Sequence, residues 1–406
     1  MQGQAIEHGR TIFETLDDVE VEGRRVLIRI DLNVPVRDGR VSDMTRIERV
    51  APTIAELADK GARVVVMSHF GRPNGKRVGD LSLAPLAAPL AQVLGRPVAF
   101  AADCIGPLAA SVVGGLESGG VALLENLRFH IGEESNDLRF ARALAELGEI
   151  YVDDAFSAAH RAHASLDAIA RHLPAVAGRL MQAELDALHG ALGSPQRPLA
   201  AIVGGAKIST KLDLLGNLSA KVDKLVIGGA MANTFLHAAG VNVGKSLCEY
   251  EMVKTAAKVQ AQAAAQGCDI ILPVDAVVAP GLEAGKNART VAIDEIHDWT
   301  MILDIGPASV EMLIKILGRC RTVVWNGPLG AFEFPPFDVG TVAVAKCVAA
   351  ATKAGTIRSV AGGGDTVAAL TGAGVIEGFS YVSTAGGAFL EWLEGKELPG
   401  VKALMR

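Results

Sequence analysis

Cysteine is scarce in this sequence and poorly arranged for structural use. The five thiols, Cys104, Cys248, Cys268, Cys320 and Cys347, are odd in number, widely spaced and never form a C-x-x-C pair. That pattern excludes a disulfide framework and a structural zinc site. Aromatic residues make up only 4% of the chain, too few for the stacking platforms that hold single-stranded nucleic acid. Positive charge is not in excess either: 39 Lys and Arg stand against 45 Asp and Glu, a net charge of −6. Binding a polyanion by bulk charge is thereby excluded, while local basic sites stay open. No uncharged apolar run approaches the length of a membrane span. Met1 to Arg10 are polar and mixed in charge, without the apolar block of a secretory signal. The expectation is a cytoplasmic protein with reduced thiols, engaging neither nucleic acid nor membrane.

What the chain does have is core material. Half of its 406 residues are hydrophobic, which rules out disorder, and at roughly 150 residues per domain the length suits two to three domains. Short β-branched runs recur, among them Val26–Ile30, Arg63–Met67, Val121–Leu124 and Ile150–Val152. Further on come Leu199–Val203, Lys224–Ile227, Asp269–Pro273, Thr300–Leu303, Thr322–Trp325, Ile357–Val360 and Tyr381–Val382. Runs of this kind without polar alternation suit strands buried on both faces. Between them lie segments of helical length and composition, such as Arg46–Lys60, Asp137–Leu147 and Tyr250–Gln266. Strand and helix in alternation predict an α/β fold of two similar-sized doubly wound domains with mainly parallel sheets. Gly-Ser-Pro-Gln-Arg-Pro at 193–198 ends the helical stretch Met181–Leu192, so the domains are expected at 1–190 and 195–395, joined by a helical hinge.

In open α/β sheets ligands sit beyond the carboxyl ends of the strands, so the residues that follow each strand carry the argument. In the first half these are cations: Arg29 with Asp31 and Asn33, then Arg46, His69 with Arg72, Arg128 with His130, and His160, Arg161 and His163. A single arginine usually lies on a solvated face. A set of them on one sheet edge fits a small, multiply anionic ligand, because the guanidinium fork matches phosphate and carboxylate oxygens. In the second half the strands end in glycine: Gly204-Gly205-Ala206-Lys207, with Lys211 four residues on, Gly228-Gly229, Asn326-Gly327, Gly362-Gly363-Gly364-Asp365-Thr366 and Gly386-Gly387. Glycine lets backbone N–H groups approach a phosphate, and a helix start adds favourable partial charge. The lysines supply point charges, and an aspartate beyond the glycines suits Mg²⁺, which keeps most of its waters.

The common nucleotide signatures are missing. Gly240 to Ser246 imitates a P-loop but has three residues between its glycines where four are needed. There is no G-x-G-x-x-G, no H-R-D, no D-F-G and no G-x-S-x-G, which sets aside protein kinases and α/β-hydrolases.

Asp-Leu-Asn-Val-Pro, Ser-His-Phe-Gly-Arg-Pro, Glu-Asn-Leu-Arg-Phe-His, Ala-His-Arg-Ala-His, Gly-Gly-Ala-Lys, Trp-Asn-Gly-Pro-Leu-Gly and Gly-Gly-Gly-Asp-Thr occur in this order from about Leu16 onward. Together they resemble the phosphoglycerate kinase family. The resemblance implies reversible transfer of the ATP γ-phosphoryl group to the carboxylate of 3-phosphoglycerate, giving 1,3-bisphosphoglycerate and ADP. It implies a substrate site of Arg29, Asp31, Asn33, Arg46, His69, Arg72, Arg128, His160, Arg161 and His163. Its nucleotide site would use Gly204, Gly205, Lys207, Lys211, Gly228, Gly229, Asn326, Glu333 at the ribose, and Gly362 to Thr366, with Mg²⁺ on Asp365. Arg46, Lys207, Gly386 and Gly387 would serve the moving phosphoryl group. The family further implies a monomer, hinge closure, and a tail at about 396–406 that returns to the first domain.

The sequence departs from the family pattern at Ala385, where a triple glycine usually starts, at Phe389, where a small residue is usual, and at Ser157, which replaces a glycine. Some fifteen residues, Met1–Thr15, precede the first matched motif and are expected as a loose tail or an extra element. Two rival readings are a non-catalytic anion-binding relative, which would have lost Arg46, Lys207 or Asp365, and an acetate-type kinase, for which ten substrate-site residues are excessive.

Overall fold

The structure is a computed structural model that describes residues 6, 7, 10, 11, 13–37 and 40–405. Most of the leader Met1–Thr15 thus lies outside the described residues, although Ile6–Glu7 and Arg10–Thr11 pair as a short antiparallel ladder. Two compact units are present. One takes in the chain up to Leu185 together with Glu397 onward, the other Asp186–Lys396.

In the first unit the strands are β1 (Arg25–Arg29), β2 (Arg63–Met67), β3 (Val98–Ala101), β4 (Val121–Leu124), β5 (Ile150–Asp153) and β6 (Ala175–Ala177). They form one parallel sheet in the order β6-β5-β1-β2-β4-β3. Side chains of a strand alternate between faces, and both faces here are covered. Ile28, Val64 and Val66 pack with Ile47, Ile54 and Leu57 of the helix Thr45–Asp59, whose apolar positions recur every three to four residues. On the other face Leu27, Val65 and Tyr151 meet Phe140 and Leu144 of the helix Leu138–Ala145. The continuous burial of Val64–Met67 explains why the run reads as apolar without alternation.

The second unit contains β7 (Leu199–Val203), β8 (Lys224–Ile227), β9 (Asp269–Ile271), β10 (Asp275–Ala279), β11 (Arg289–Ala292), β12 (Met301–Ile305), β13 (Thr322–Asn326), β14 (Arg358–Gly362) and β15 (Tyr381–Ser383). Six of them make a parallel sheet ordered β9-β8-β7-β13-β14-β15. Ile202, Val323, Trp325 and Ala361 are buried there with Leu313, Leu317, Val344 and Val348 from two helices, Pro307–Leu317 and Val339–Lys353. The remaining three form a separate antiparallel sheet, β11-β10-β12.

That small sheet corrects the expectation for Thr300–Leu303. The run is a strand, but it pairs antiparallel with β10 rather than joining the parallel sheet, a distinction that an apolar run cannot carry. Edge strands β3 and β6 also escape the sequence pattern, since β3 is half exposed and β6 only three residues long. Between the units the chain runs through a helix, Arg179–Leu188, and a π-type turn, His189–Gly193. The C-terminal helix Pro399–Leu404 lies on the first unit: Gly400 N–H donates to the Ala159 carbonyl at 2.9 Å, and Phe13 bridges to Met405.

Candidate active site

Each parallel sheet has one place where successive connections depart in opposite directions, the position at which α/β sheets bind ligands. In the first it falls between β1 and β5, in the second between β7 and β13.

At the β1/β5 point the first unit gathers its charged residues. Asp31 accepts from Ser157 Oγ at 2.6 Å, from the Asn33 N–H at 2.9 Å and from Arg46 Nη1 at 3.4 Å. Arg46 also donates to the Asn33 carbonyl at 2.6 Å, and Asn33 Oδ1 accepts from the Gly71 N–H at 3.0 Å. Arg128, nearly buried, donates to the Gly71 carbonyl at 2.7 Å and faces Glu134 at 3.5 Å. Arg72 is exposed on the same loop as Gly71. Arg161 Nε donates to His160 Nε2 at 3.3 Å, and His163 is buried with Nδ1 at 3.8 Å from Glu133. Burial works against the Asp31 carboxylate, but Arg46 and the hydrogen bonds from Ser157 and Asn33 act the other way, and the carboxyl lies below the usual range. Burial and then the Arg29 guanidinium push His69 well below the ordinary imidazole range. His163 falls to about 4 through burial and the neighbouring Arg128 and Arg29. Both rings are neutral at physiological pH, so the cationic charge of the site comes from arginine.

Arg29 departs from the expectation that it lines the site. It is wholly buried beneath it, donating to Ser165 Oγ at 3.0 Å, to the Ile30 carbonyl and to His69 Nδ1 at 2.9 Å. The end of an inner strand between two packed faces leaves its side chain no route to solvent. Asn126 is a residue that motif reading passes over, although it sits inside Glu-Asn-Leu-Arg-Phe-His. Its amide donates to the Phe70 and Leu81 carbonyls at 2.7 and 2.8 Å and accepts from the Phe70 and Arg128 N–H groups. This one side chain fixes the loops that carry His69 and Arg128. The signal available was a polar pair, Glu125-Asn126, directly after a fully apolar strand.

At the β7/β13 point backbone replaces side chain. Gly204 N–H donates to the Asn326 carbonyl at 2.9 Å, Gly228 N–H to Val203, Gly229 N–H to Leu329, and Met231 N–H to Gly205. Asn326 Nδ2 donates to the Gly362 carbonyl at 2.8 Å, and the Gly327 N–H donates to Thr366 Oγ1 at 2.7 Å. A Cβ on Gly204 would collide with the Pro328 carbonyl, and Gly363 holds φ at +99° over the Asn326 amide, so both positions require glycine. Lys211 is tucked in, its Nζ donating to the Gly204 carbonyl at 2.6 Å and to Asn326 Oδ1 at 2.7 Å. Burial drives this ammonium down to about 8, with Asp365 and Glu394 pulling the other way. Lys207 is exposed on the loop between β7 and the helix Leu212–Ser219, and Asp365 is exposed in the first turn of the helix Gly364–Gly372. Gly386 and Gly387 begin the helix Gly386–Leu393, and Phe389 from that helix packs over Gly362 with no exposed surface. Beside the glycine turns opens a cavity of about 310 Å³ whose walls include Gly205, Gly229, Leu236, Met301, Glu333 and Asp365. Gly240–Ser246 forms a loop in which Lys245 N–H donates to the Thr300 carbonyl.

Comparison with known proteins shows the family. The family profile described as phosphoglycerate kinase matches residues 16–396. The phosphoglycerate kinase of Granulibacter bethesdensis is 63% identical over 392 residues, covering 97% of this chain and 99% of that protein. That of Rhizobium meliloti is 61% identical over 393 residues, 97% and 98% of the two chains. Among solved structures, the phosphoglycerate kinase from Coxiella burnetii superposes with a TM-score of 0.89 at 43% identity, covering 97% of this chain and 98% of that one. The enzyme from Pyrococcus horikoshii gives 0.78 at 32% identity, with 96% and 98% covered. The chain belongs to the phosphoglycerate kinase family.

Proposed function

We propose that this protein transfers the γ-phosphoryl group of ATP reversibly to the carboxylate of 3-phosphoglycerate, forming 1,3-bisphosphoglycerate and ADP. The observation that carries the reading is the unlike chemistry of two switch points: arginine and histidine side chains at one, glycine backbone beside an apolar-walled cavity at the other. In this reading Arg72, Arg128 and Arg161 clamp the non-reacting phosphate, while Asp31 and Asn33 take the hydroxyl and carboxylate side, with His69, His160 and His163 around them. Leu236 and Met301 give the cavity apolar surface for a purine, Glu333 reaches the ribose, and the turns at Gly204–Gly205, Gly228–Gly229 and Gly362–Thr366 receive the phosphates together with Lys207, Lys211 and Asn326. Asp365 is an exposed carboxylate on the cavity wall, which suits an Mg²⁺ ion bound through phosphate oxygens and waters. When bound, that ion would neutralise phosphate charge.

The acceptor is a carboxylate, ionised at neutral pH with a pKa of roughly 3.5, so no general base is needed. The task left to the protein is to hold the reactants in line and to neutralise the charge on the moving group. Arg46, Lys207 and the N–H groups at Gly386 and Gly387 do this in our reading, by direct transfer without a phosphoenzyme. Transfer further requires the triose and nucleotide units to close, with the segment Met181–Pro198 as the hinge. The protein would work as a cytoplasmic monomer; its cysteines are unpaired, and among the described residues no helix is long and apolar enough to cross a membrane.

A coupled assay comparing 3-phosphoglycerate with acetate tests the assignment: turnover with the first and none with the second is expected, and activity on acetate alone would overturn it. Solution scattering should show compaction when both ligands are present.

A further inference from the structure

Beneath the arginines of the first unit runs a buried chain of charge that none of the assigned roles uses. Glu133 is wholly buried, and both of its oxygens are engaged by one residue. Ser165 Oγ lies 2.6 Å from Oε1, and the Ser165 N–H donates to Oε2 at 3.0 Å. The same hydroxyl accepts from Arg29 Nε at 3.0 Å, and Arg29 Nη2 lies 2.9 Å from His69 Nδ1. The Tyr151 hydroxyl donates to the Ser165 carbonyl at 2.8 Å and fixes the segment.

Donor chemistry gives this chain one direction. Arginine can only donate, so Ser165 Oγ accepts from Arg29 Nε, and its own hydroxyl proton goes to Glu133 Oε1. For the same reason His69 Nδ1 is an acceptor and carries no proton. The one ring proton of His69 therefore sits on Nε2.

We infer that Arg29, Ser165 and Glu133 are positioning residues for the triose site, which lock His69 as a neutral imidazole with its proton on Nε2. Glu133 is the counter-charge that lets the Arg29 guanidinium stay buried, since a buried cation without a partner is strongly unfavourable. His69 then offers the ligand a directed, uncharged N–H donor, and substrate charge is matched by arginines alone. Burial and Arg29 push the ring away from protonation, Arg128 and His163 act in the same sense, and only Asp31 opposes. Burial keeps the Glu133 carboxyl above its usual range, with Arg29, Ser165 and Arg128 pulling against it. The inference rests on the reading of this site as the 3-phosphoglycerate site.

The test is nitrogen NMR on the full chain, with its nine histidines labelled and His69 assigned by a His69→Gln variant. In the ligand-free wild type, His69 is expected to keep an unprotonated Nδ1 and a protonated Nε2 across roughly pH 5 to 8. A ring that titrates in that range, or carries its proton on Nδ1, would overturn the inference. Ser165→Ala removes the acceptor that holds Arg29 Nε and should let the neutral ring populate the tautomer protonated on Nδ1. It should also raise the KM for 3-phosphoglycerate about tenfold, with the KM for ATP unchanged. Unchanged ring state and unchanged KM in a folded Ser165→Ala protein would equally defeat the idea. Should that variant not fold, the wild-type spectrum alone decides. Absence of 3-phosphoglycerate binding by the wild type would sink the function assignment instead, and leaves the ligand-free spectrum as a separate result.

Discussion

The two units place their proposed ligand sites at the same kind of topological position and furnish them by opposite means. At the end of β1 and β5 the proposed recognition is by side chain, and the side chains there rest on polar support: Asn126 under the His69 and Arg128 loops, Ser157 against Asp31, Glu133 behind the buried Arg29. At the end of β7 and β13 recognition is by peptide, and the support is the absence of side chains, with Gly204, Gly228, Gly327 and Gly362 closed against one another or against Pro328, Leu329 and Phe389. The first arrangement is vulnerable to changes of charge and pH. The second is vulnerable to added volume. Substitutions that exchange these sensitivities would break the comparison.

The largest effects are expected where either site meets the moving phosphoryl group. Arg46→Ala and Lys207→Ala, one from each unit, should each lower turnover by about 10²- to 10³-fold in a coupled assay. A variant retaining turnover within tenfold of wild type would remove its residue from that role. Next comes a steric pair in the second unit. Gly204→Ala drives a Cβ into the Pro328 carbonyl and should cost about 3 kcal/mol in denaturant unfolding along with most ATP affinity. Gly386→Ala meets nothing within 4 Å, so its stability should stay within about 0.5 kcal/mol of wild type.

A charge test in the first unit follows. Burial raises Asp153 from its ordinary 3.8 to about 7. The folded state therefore holds a proton that the unfolded chain has lost, and stability present below about pH 4 drains away as pH rises toward 7. Asp153→Asn should remove this slope, making the wild type lose about 2 kcal/mol more than the variant between pH 5 and 8 in urea titrations. Parallel curves for the two proteins would refute it. The smallest effect belongs to Ser157→Gly, which deletes the hydroxyl on Asp31. The KM for 3-phosphoglycerate should rise only about threefold, with turnover kept.

Much of this was legible in the sequence because both sites follow strands, and strands buried on two faces print as uninterrupted apolar runs. Val64–Met67 and Leu199–Val203 are of this kind. Motif order then carried the family assignment. What stayed hidden is tertiary. Nothing local in Thr300–Leu303 distinguishes an antiparallel partner from a parallel one, and β6 is too short to show a pattern. Arg29 reads like any other strand-end arginine, and only the packing of Ser165 and Glu133 beside it reveals that it faces inward. Ser157 stood out as a departure from the family pattern, but its partner Asp31 is 126 residues away. Phe389 likewise gained its meaning only when the helix Gly386–Leu393 laid it over Gly362.

The helix Pro399–Leu404 belongs to the unit that begins the described chain, although the whole of Asp186–Lys396 intervenes. In topological terms the nucleotide-type unit is a guest inserted into its host. During synthesis the host therefore waits, lacking the Gly400 bond to Ala159 and the Phe13–Met405 bridge, until the guest has entirely emerged. Completion of the host comes last, against the amino-first order usual for successive domains, and the guest has the chance to mature first.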